Sequence, residues 1–247
     1  MIVAAALPAI PEIRAGDDLA ALVAGAAKHL ADGDVLVIAH KVVSKAEARV
    51  VALSGVQPGE RARALGAEHG KDPRLVEVIL GESAAIVRSR PGVLICRTRH
   101  GYICANAGVD ASNAPAAGDV VLLPLDPDAS ARALRGRLRE LTGVAPAIVI
   151  ADSFGRAWRV GQCDVAIGIA GLHPVEDLRG RHDGGGRLLE ATVVAIADEA
   201  AAAADLARSK DSREPVVLVR GLERHVSEGH GPGAAALIRA RDEDLFQ

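Results

Sequence analysis

Apolar runs that alternate with helical segments predict, from the residues alone, a domain in which α-helices pack on a largely parallel β-sheet. Short runs rich in β-branched residues, such as residues 35–38 and 215–219, are typical of buried strands. Alanine-rich segments between such runs favour helices, because alanine is the best helix former. Hydrophobic residues make up 49% of the 247 residues, so the chain can bury a sizeable core.

Composition narrows the class of protein. The net charge is −3 with 25% charged residues, an ordinary soluble balance with no basic bias toward nucleic acid. Cys96, Cys104 and Cys163 lack zinc-like spacing and are too few for a disulfide scaffold, so we expect reduced thiols in a cytoplasmic protein. The N-terminus has no basic region, and no apolar run approaches the ~20 residues of a membrane span. We therefore expect neither a signal peptide nor a membrane segment.

The N-terminal half is expected to open with a strand and then a helix. Pro8 and Pro11 interrupt the first apolar run, and Asp18 can cap the alanine- and leucine-rich segment that follows. Turn residues separate the later elements. The predicted elements are a strand over residues 2–7, a helix over 18–30, a strand over 35–38, two short helices between 58 and 81, and strands over 93–96 and 103–105.

A cluster of basic residues follows the strand over 35–38 directly. His40, Lys41, Ser44 and Lys45 stand close together, and the two lysines are spaced by four residues. Ammonium groups at the end of a strand could hold a polyphosphate. A solvated lysine face is the alternative interpretation, and the residues alone leave both open.

The C-terminal half is predicted to alternate in the same way. Residues 179–187 form a glycine-rich basic loop, which is either a flexible connector or a mobile substrate-binding loop. The helix that begins at Asp126 carries four arginines that we expect mostly to face solvent: Arg132, Arg135, Arg137 and Arg139. The predicted elements are a strand over 119–123, a helix over 126–141, strands over 147–151 and 164–170, a helix through most of 188–207, and a strand over 215–219.

Residues 106–113 concentrate asparagine, glycine, aspartate and serine, which are the residues of turns. An Asx turn is one interpretation of this segment. The other is a binding segment in which Asp110 supplies a carboxylate ligand and Asn113 makes amide contacts.

The stretch over residues 147–171 has a polar centre between two apolar runs. The first run ends abruptly at Asp152 and Ser153, and a polar turn with Arg156 and Arg159 precedes the second run. An acid and a hydroxyl at the end of a buried strand can bind a divalent cation, and arginines can meet phosphate. The alternative is that Asp152 or Ser153 caps a turn or helix and that the arginines are solvated.

Seven blocks of sequence, in chain order, are similar to those of the coenzyme F420:L-glutamate ligase family, coenzyme F420 being a deazaflavin. They cover the chain from about residue 7 to residue 222. The resemblance implies an α+β fold with mixed sheets and helices, rather than a simple parallel sheet, in one ligase unit over residues 1–247. It also implies two interleaved subdomains of unassigned boundaries and an intertwined homodimer. The blocks are GDDL (16–19), VSKAE (43–47), ANAGVDASN (105–113), LPLDPD (123–128), DSFGR (152–156), WRVGQ (158–162) and VRGL (219–222).

The resemblance implies a GTP-dependent ligase in its stand-alone form, without the nitroreductase extension of some members. The expected reaction adds L-glutamate to the phospholactyl carboxylate of the deazaflavin precursor through an acyl phosphate, and then extends the product by γ-glutamyl linkages. The expected cofactors are two Mg²⁺ or Mn²⁺ ions, with K⁺ as a further candidate. Two alternatives stay open: a related GTP-driven amide ligase with a different acceptor, and a GTP-binding member without catalysis.

Matching positions assign the site residues that the resemblance implies. Asp110 and Asp152 match metal-binding aspartates and are expected to be catalytic, and Ser153 stands where a threonine ligand is usual. The positions that match GTP contacts are Pro8, Ala9, Ile10, Pro11, His40, Lys41, Lys45 and Asn113.

Three further residues are inferred from their placement in the polar turn. Arg156 is expected to be catalytic, and Arg159 and Gln162 are candidates for contacts with phosphate or a substrate carboxylate. The chain departs from the family pattern over residues 208–215, where Lys210 stands about where some members have an acidic ligand. The second metal ligand and part of the GTP loop depend on this segment.

Overall fold

The computed structural model describes residues 1–8 and 10–245, which form a mixed arrangement of helices and strands. No helix in this part of the chain is long and apolar enough to cross a membrane. In chain order the elements are β1 (Val3–Ala6), α1 (Leu19–Ala26), β2 (Val35–Ala39), α2 (His40–Ala46), β3 (Val50–Ala52), α3 (Glu60–His69), α4 (Pro73–Glu82), β4 (Ser83–Arg90), β5 (Val93–Thr98), β6 (Ile103–Ala105), β7 (Asp119–Val121), α5 (Pro127–Thr142), β8 (Ala147–Arg156), β9 (Arg159–Ala170), β10 (Glu176–Asp177), β11 (Val193–Val194), α6 (Ile196–Ala207) and β12 (Val216–Arg220).

The central sheet has five strands in the order β1-β12-β2-β8-β9. Strands β2 and β8 pair in parallel, and the other three pairs in this sheet are antiparallel. Smaller sheets are formed by β4-β5-β6, β3-β7 and β10-β11. The α+β prediction is therefore confirmed. The parallel sheet that the strand–helix alternation predicted is wrong, because β12 enters antiparallel between β1 and β2 and β9 returns as a hairpin.

The central strands are apolar throughout because both faces of the sheet are covered. Leu36 and Ile38 of β2 belong to a core with residues of α1 and α5. Val35 and Val37, which point to the opposite face, belong to a second core with the alanines of α6. Strands that are buried on both faces lack the polar alternation of half-exposed strands, which explains the continuous apolar runs of the sequence.

A third apolar cluster lies outside these two cores and draws on residues between 51 and 122. Val76 and Ile79 of α4, Leu94 of β5 and Val120 of β7 are fully buried in it. Helices α3 and α4 agree with the two short helices predicted there. The division into two interleaved subdomains stays a prediction.

The polar segment after residue 151 is a long hairpin rather than a turn between two short strands. Strand β8 continues to Arg156, and β9 begins at Arg159 with Trp158 at φ 57° in the tight bend. Trp158 is 83% exposed and Val160 is 98% exposed, so the tip lies in solvent. The predicted strand ends were wrong because backbone pairing continues beyond the point where the apolar core stops.

The structure refines two predictions about helical residues. Helix α6 occupies Ile196–Ala207, the larger part of the predicted 188–207 range, and the residues before it pair with residues 176–182: β11 pairs with β10, and Leu188 bridges to His182. In α5, Arg135 is buried, and its guanidinium donates hydrogen bonds to five backbone carbonyl oxygens. Burial lowers the pKa of Arg135 from its ordinary value. Arg137 and Arg139 are exposed, as predicted.

Candidate active site

A cavity of about 370 Å³ opens at the carboxyl ends of the parallel strands β2 and β8. His40 and Lys41 enter it from the start of α2, and Asp152 and Ser153 enter it from β8. The remaining walls come from residues 10–13 and 205–215. Ligands in open α/β sheets commonly bind outside the carboxyl ends of strands, so the location itself favours a binding site.

His40 and Asp152 meet at the floor of this cavity. His40 is buried, its Nδ1 lies 3.3 Å from Ser44 Oγ, and its Nε2 lies 3.3 Å from Asp152 Oδ1. The backbone N–H of Ser153 donates to Asp152 Oδ1 at 2.8 Å. Burial works to raise the pKa of Asp152, but His40, the Ser153 N–H and Lys41 outweigh it and hold that pKa below its usual value. Asp152 is thus a carboxylate that is largely buried, with 16% of its side chain exposed, and is kept ionised.

Lys41 contacts Asp110, which is not among the residues that line the cavity in the described part of the chain. Its Nζ lies 2.6 Å from Asp110 Oδ2 and donates to Ser112 Oγ at 2.7 Å. Asp110 also accepts from the N–H and the hydroxyl of Ser112, each at 2.7 Å. Burial works to raise the pKa of Asp110, but Lys41 and Ser112 lower it overall. Because Lys41 also lowers the pKa of Asp152, one ammonium serves both carboxylates.

The structure places some, but not all, of the predicted nucleotide-contacting residues in the cavity. Ile10, Pro11, Lys45 and Asn113 line the cavity with His40 and Lys41. Lys45 is buried and forms an ion pair with Glu12, a lining residue that the sequence analysis did not select. Pro8 is exposed and is not among the lining residues, and the predicted contact at Ala9 lies outside the described residues.

A second charged group in the cavity also escaped the sequence analysis. Asp164, which is 2% exposed, lies opposite Ser153 in the β8–β9 register. Ser153 Oγ donates to Asp164 Oδ1 at 2.5 Å, and Arg208 Nη2 donates to Oδ2 at 2.8 Å. Lys210 Nζ donates to Ser153 Oγ. The sequence signal for this group was Asp164 at the start of an apolar run. Its pairing with Ser153 could be known only from the register of the β8–β9 hairpin.

The three residues inferred from the polar turn lie elsewhere. Arg156, Arg159 and Gln162 are on the exposed hairpin, and none of them lines the cavity in the described part of the chain. Arg156 Nη2 donates to the carbonyl oxygen of Val160 at 2.8 Å, which ties it to its own hairpin. A catalytic role for Arg156 therefore stays a prediction that the cavity itself does not support.

The oxygen atoms beside Lys41 match the chemistry that Mg²⁺ and Mn²⁺ prefer. Asp110 and Asp152 are ionised carboxylates, and Ser112 adds a hydroxyl. Across residues 1–8 and 10–245, histidine, cysteine, aspartate and glutamate form no group of three or more that could hold a metal. The donor types fit a hard divalent cation, and the metal assignment stays a prediction.

The cavity has positive side chains on two walls, together with lining carboxylates from Glu12, Asp152, Asp164, Asp205 and Glu214. Lys41 and Lys45 on one wall face a segment that carries Arg208, Lys210 and Arg213 on the other. Ammonium and guanidinium groups on both sides suit a molecule that carries several phosphate or carboxylate groups.

Comparison with known proteins gives a consistent result over nearly the whole chain. A family model described as F420-0:Gamma-glutamyl ligase matches residues 9–221. The coenzyme F420:L-glutamate ligase of Methanopyrus kandleri is 48% identical over 243 residues, covering 98% of this chain and 96% of that protein. The proteins of the same name from Methanothermobacter thermautotrophicus and Haloarcula marismortui are 43% and 41% identical and cover 96% and 98% of this chain, 96% and 94% of their own lengths. The chain belongs to the F420-0:gamma-glutamyl ligase family and is a ligase.

Proposed function

We propose that this chain uses GTP to join L-glutamate to the phospholactyl carboxylate of the deazaflavin coenzyme F420 precursor, and then extends the product by γ-glutamyl linkages. Relatives of nearly equal length bear the name coenzyme F420:L-glutamate ligase. The observation that carries the proposal is the cavity lined by Lys41, Lys45 and the ionised carboxylate of Asp152.

The chemistry requires activation of an unreactive group. A carboxylate resists attack by an amine until one of its oxygens bears a good leaving group. In the proposed reaction, the precursor carboxylate attacks the γ-phosphorus of GTP, the bond to the β-phosphate oxygen breaks, and GDP leaves. The amine of glutamate then attacks the acyl carbon, loses a proton, and displaces phosphate to form the amide. These two reaction steps require correct positioning of the substrates and positive charge near the phosphates, and they require no protein nucleophile.

Each charged residue near the cavity is assigned a ligand group of opposite charge. Lys41 and Lys45 meet phosphate oxygens, and the surfaces of Ile10, Pro11 and Asn113 contact the nucleoside. Asp110 and Asp152 would hold a divalent cation, Mg²⁺ or Mn²⁺, and K⁺ is a further candidate at this site. When bound, the divalent cation supplies positive charge against phosphate oxygens. Asp152 is kept ionised beside His40, which holds it ready for such a cation.

A second copy of the chain is the expected protein partner, because the family resemblance implies a homodimer. The exposed tip of the β8–β9 hairpin carries Trp158 and Val160, apolar side chains of the kind that interfaces bury.

The decisive experiment incubates the purified protein with GTP, Mn²⁺ or Mg²⁺, L-glutamate and the deazaflavin precursor, and follows the product by mass spectrometry. The proposal expects products heavier by one or more glutamyl units, formed only when GTP is present, with GDP released. An unchanged precursor with GTP consumed would favour a different acceptor. An unchanged precursor with GTP bound and intact would favour a member without catalysis.

A further inference from the structure

The Ser153 end of the cavity carries positive side chains where the sequence predicted a metal ion. Ser153 Oγ donates its single proton to Asp164 Oδ1 at 2.5 Å. The same oxygen accepts a hydrogen bond from Lys210 Nζ. The hydroxyl oxygen that was expected to coordinate a cation is therefore already in contact with an ammonium group.

The charges around Ser153 also oppose a metal ion there. Asp164 is the buried carboxylate that contacts Ser153, and both of its oxygens are engaged, Oδ1 by Ser153 and Oδ2 by Arg208 at 2.8 Å. Lys210 Nζ also lies 3.8 Å from Asp164 Oδ1. This carboxylate is thus already paired with two cationic side chains, which weakens its attraction for a divalent cation.

The Lys41 end is arranged differently. Lys41 Nζ contacts Asp110 Oδ2 at 2.6 Å, and Asp152 Oδ1 lies 3.3 Å from His40 Nε2. Asp110 and Asp152 remain the candidate ligands of a divalent cation.

We propose that Lys210 takes the place of a divalent cation at Ser153. On this view the chain holds its metal through Asp110 and Asp152 and uses the Lys210 ammonium as a second, built-in positive charge toward phosphate oxygens. The inference rests on the proposed function for the identity of that anion. Lys210 is 67% exposed, so its ammonium is open to a ligand in the cavity while bonded to Ser153.

The first test measures Mn²⁺ binding without nucleotide, by electron paramagnetic resonance of the free ion. Lys210→Met removes the ammonium from a mostly exposed position where loss of folding is not expected, and a thermal melt checks this. The variant should bind Mn²⁺ at least about threefold more tightly, a modest gain because solvent screens an exposed charge. Lys28→Met removes an exposed lysine elsewhere on the chain and should leave Mn²⁺ binding unchanged.

The second test asks whether the gain depends on the Ser153 hydroxyl. Ser153→Ala in the natural chain should leave Mn²⁺ affinity within about twofold, because Lys210 already contacts that oxygen. In the Lys210→Met background the same change should abolish the gain, because the freed hydroxyl would then be a ligand. Such coupling between two positions distinguishes a specific site from a general effect of net charge.

Each result decides the inference. Unchanged or weaker Mn²⁺ binding by Lys210→Met overturns it, as does a Ser153→Ala change that weakens binding in the natural chain as much as Asp152→Asn does. In those cases Mn²⁺ still binds and the proposed function stands. Failure of both the natural chain and Lys210→Met to bind Mn²⁺ would overturn the inference together with the metal assignment of the proposed function.

Discussion

At the scale of single residues, burial raises the pKa of Asp152 and neighbouring positive charges lower it. An isolated buried carboxylate would become neutral, yet the neighbours His40 and Lys41 keep Asp152 ionised at the cavity floor. The strand end at Asp152 and the basic cluster at His40 were recognisable in the sequence as separate features. Their meeting follows from the parallel pairing of β2 with β8, a pairing that the sequence analysis did not assign. The Asp164 group was not predictable in the same way, because it depends on register across a hairpin.

Asp152→Asn should lower glutamyl transfer at least about a hundredfold, because it removes the charge proposed to hold the divalent cation while keeping the shape of the side chain. Product formation measured by mass spectrometry checks this. Asp242→Asn, a change in an exposed C-terminal turn, is the matched control and should keep full activity. Transfer that survives in a folded Asp152→Asn protein would contradict the role given to this carboxylate.

The three thiols should differ in reactivity. Cys96 and Cys104 are buried and face each other across β5 and β6, and burial, Asp152 and Cys96 raise the pKa of Cys104 to about 12. Thiolate is the reactive form, so at pH 8 Cys104 stays protonated and inert. Iodoacetamide followed by peptide mass mapping should label the partly exposed Cys163 first, and Cys96 and Cys104 only after denaturation. Equal labelling of all three in the native protein would contradict this burial.

At the scale of elements, α5 is positioned by a close approach to β9. The carboxylate of Asp128, in the first turn of α5, accepts from the N–H of Ile169 at 2.7 Å and from that of Ala234 at 2.9 Å. A Cβ at Gly168 would lie 2.4 Å from the carbonyl oxygen of Pro127. The helix itself was predictable, from its Asp126 cap to its C-terminal glycine, because those signals are local. Its contact with β9 was not, because it joins residues about forty positions apart.

Gly168→Ala should therefore destabilise the protein by about 1–3 kcal/mol, because backbone atoms must move to admit the methyl group. Urea unfolding measures the free energy. Gly136→Ala is the control within the same helix: nothing lies within 4 Å of a Cβ there, so alanine should stabilise the helix by about 0.5–1 kcal/mol. A Gly168→Ala protein as stable as the natural chain would show that α5 does not pack this closely on β9.

At the scale of the whole molecule, the β8–β9 hairpin is a feature that the single chain leaves unburied. The resemblance predicted the α+β class correctly, whereas the alternation of strands and helices alone predicted a parallel sheet. The long hairpin was not predicted, because its polar residues carry no apolar pattern and its order depends on backbone pairing alone. Trp158 and Val160 at its tip are the apolar residues that a second copy could cover.

We expect a homodimer in sedimentation velocity experiments, and Val160→Glu should weaken it at least about tenfold, because a charge would be placed in the buried part of the interface. Leu188→Glu places the same charge on another exposed apolar residue, directly after the glycine-rich loop, and serves as the comparison. A natural chain that stays monomeric at micromolar concentration would contradict the homodimer. If Val160→Glu does not weaken the dimer, the interface does not include the hairpin tip.

The place of β12 in the central sheet has a consequence for synthesis of the chain. Strand β12 lies between β1 and β2, so the first strand pairs with residues 217–220 and with no earlier part of the sheet. A nascent chain leaving the ribosome therefore cannot place β1 until residues 217–220 have emerged. Long-range pairing of this kind slows folding, because a large loop must close before the contacts form. The central sheet, which carries the cavity at the carboxyl ends of β2 and β8, therefore cannot be completed while only the N-terminal strands are available.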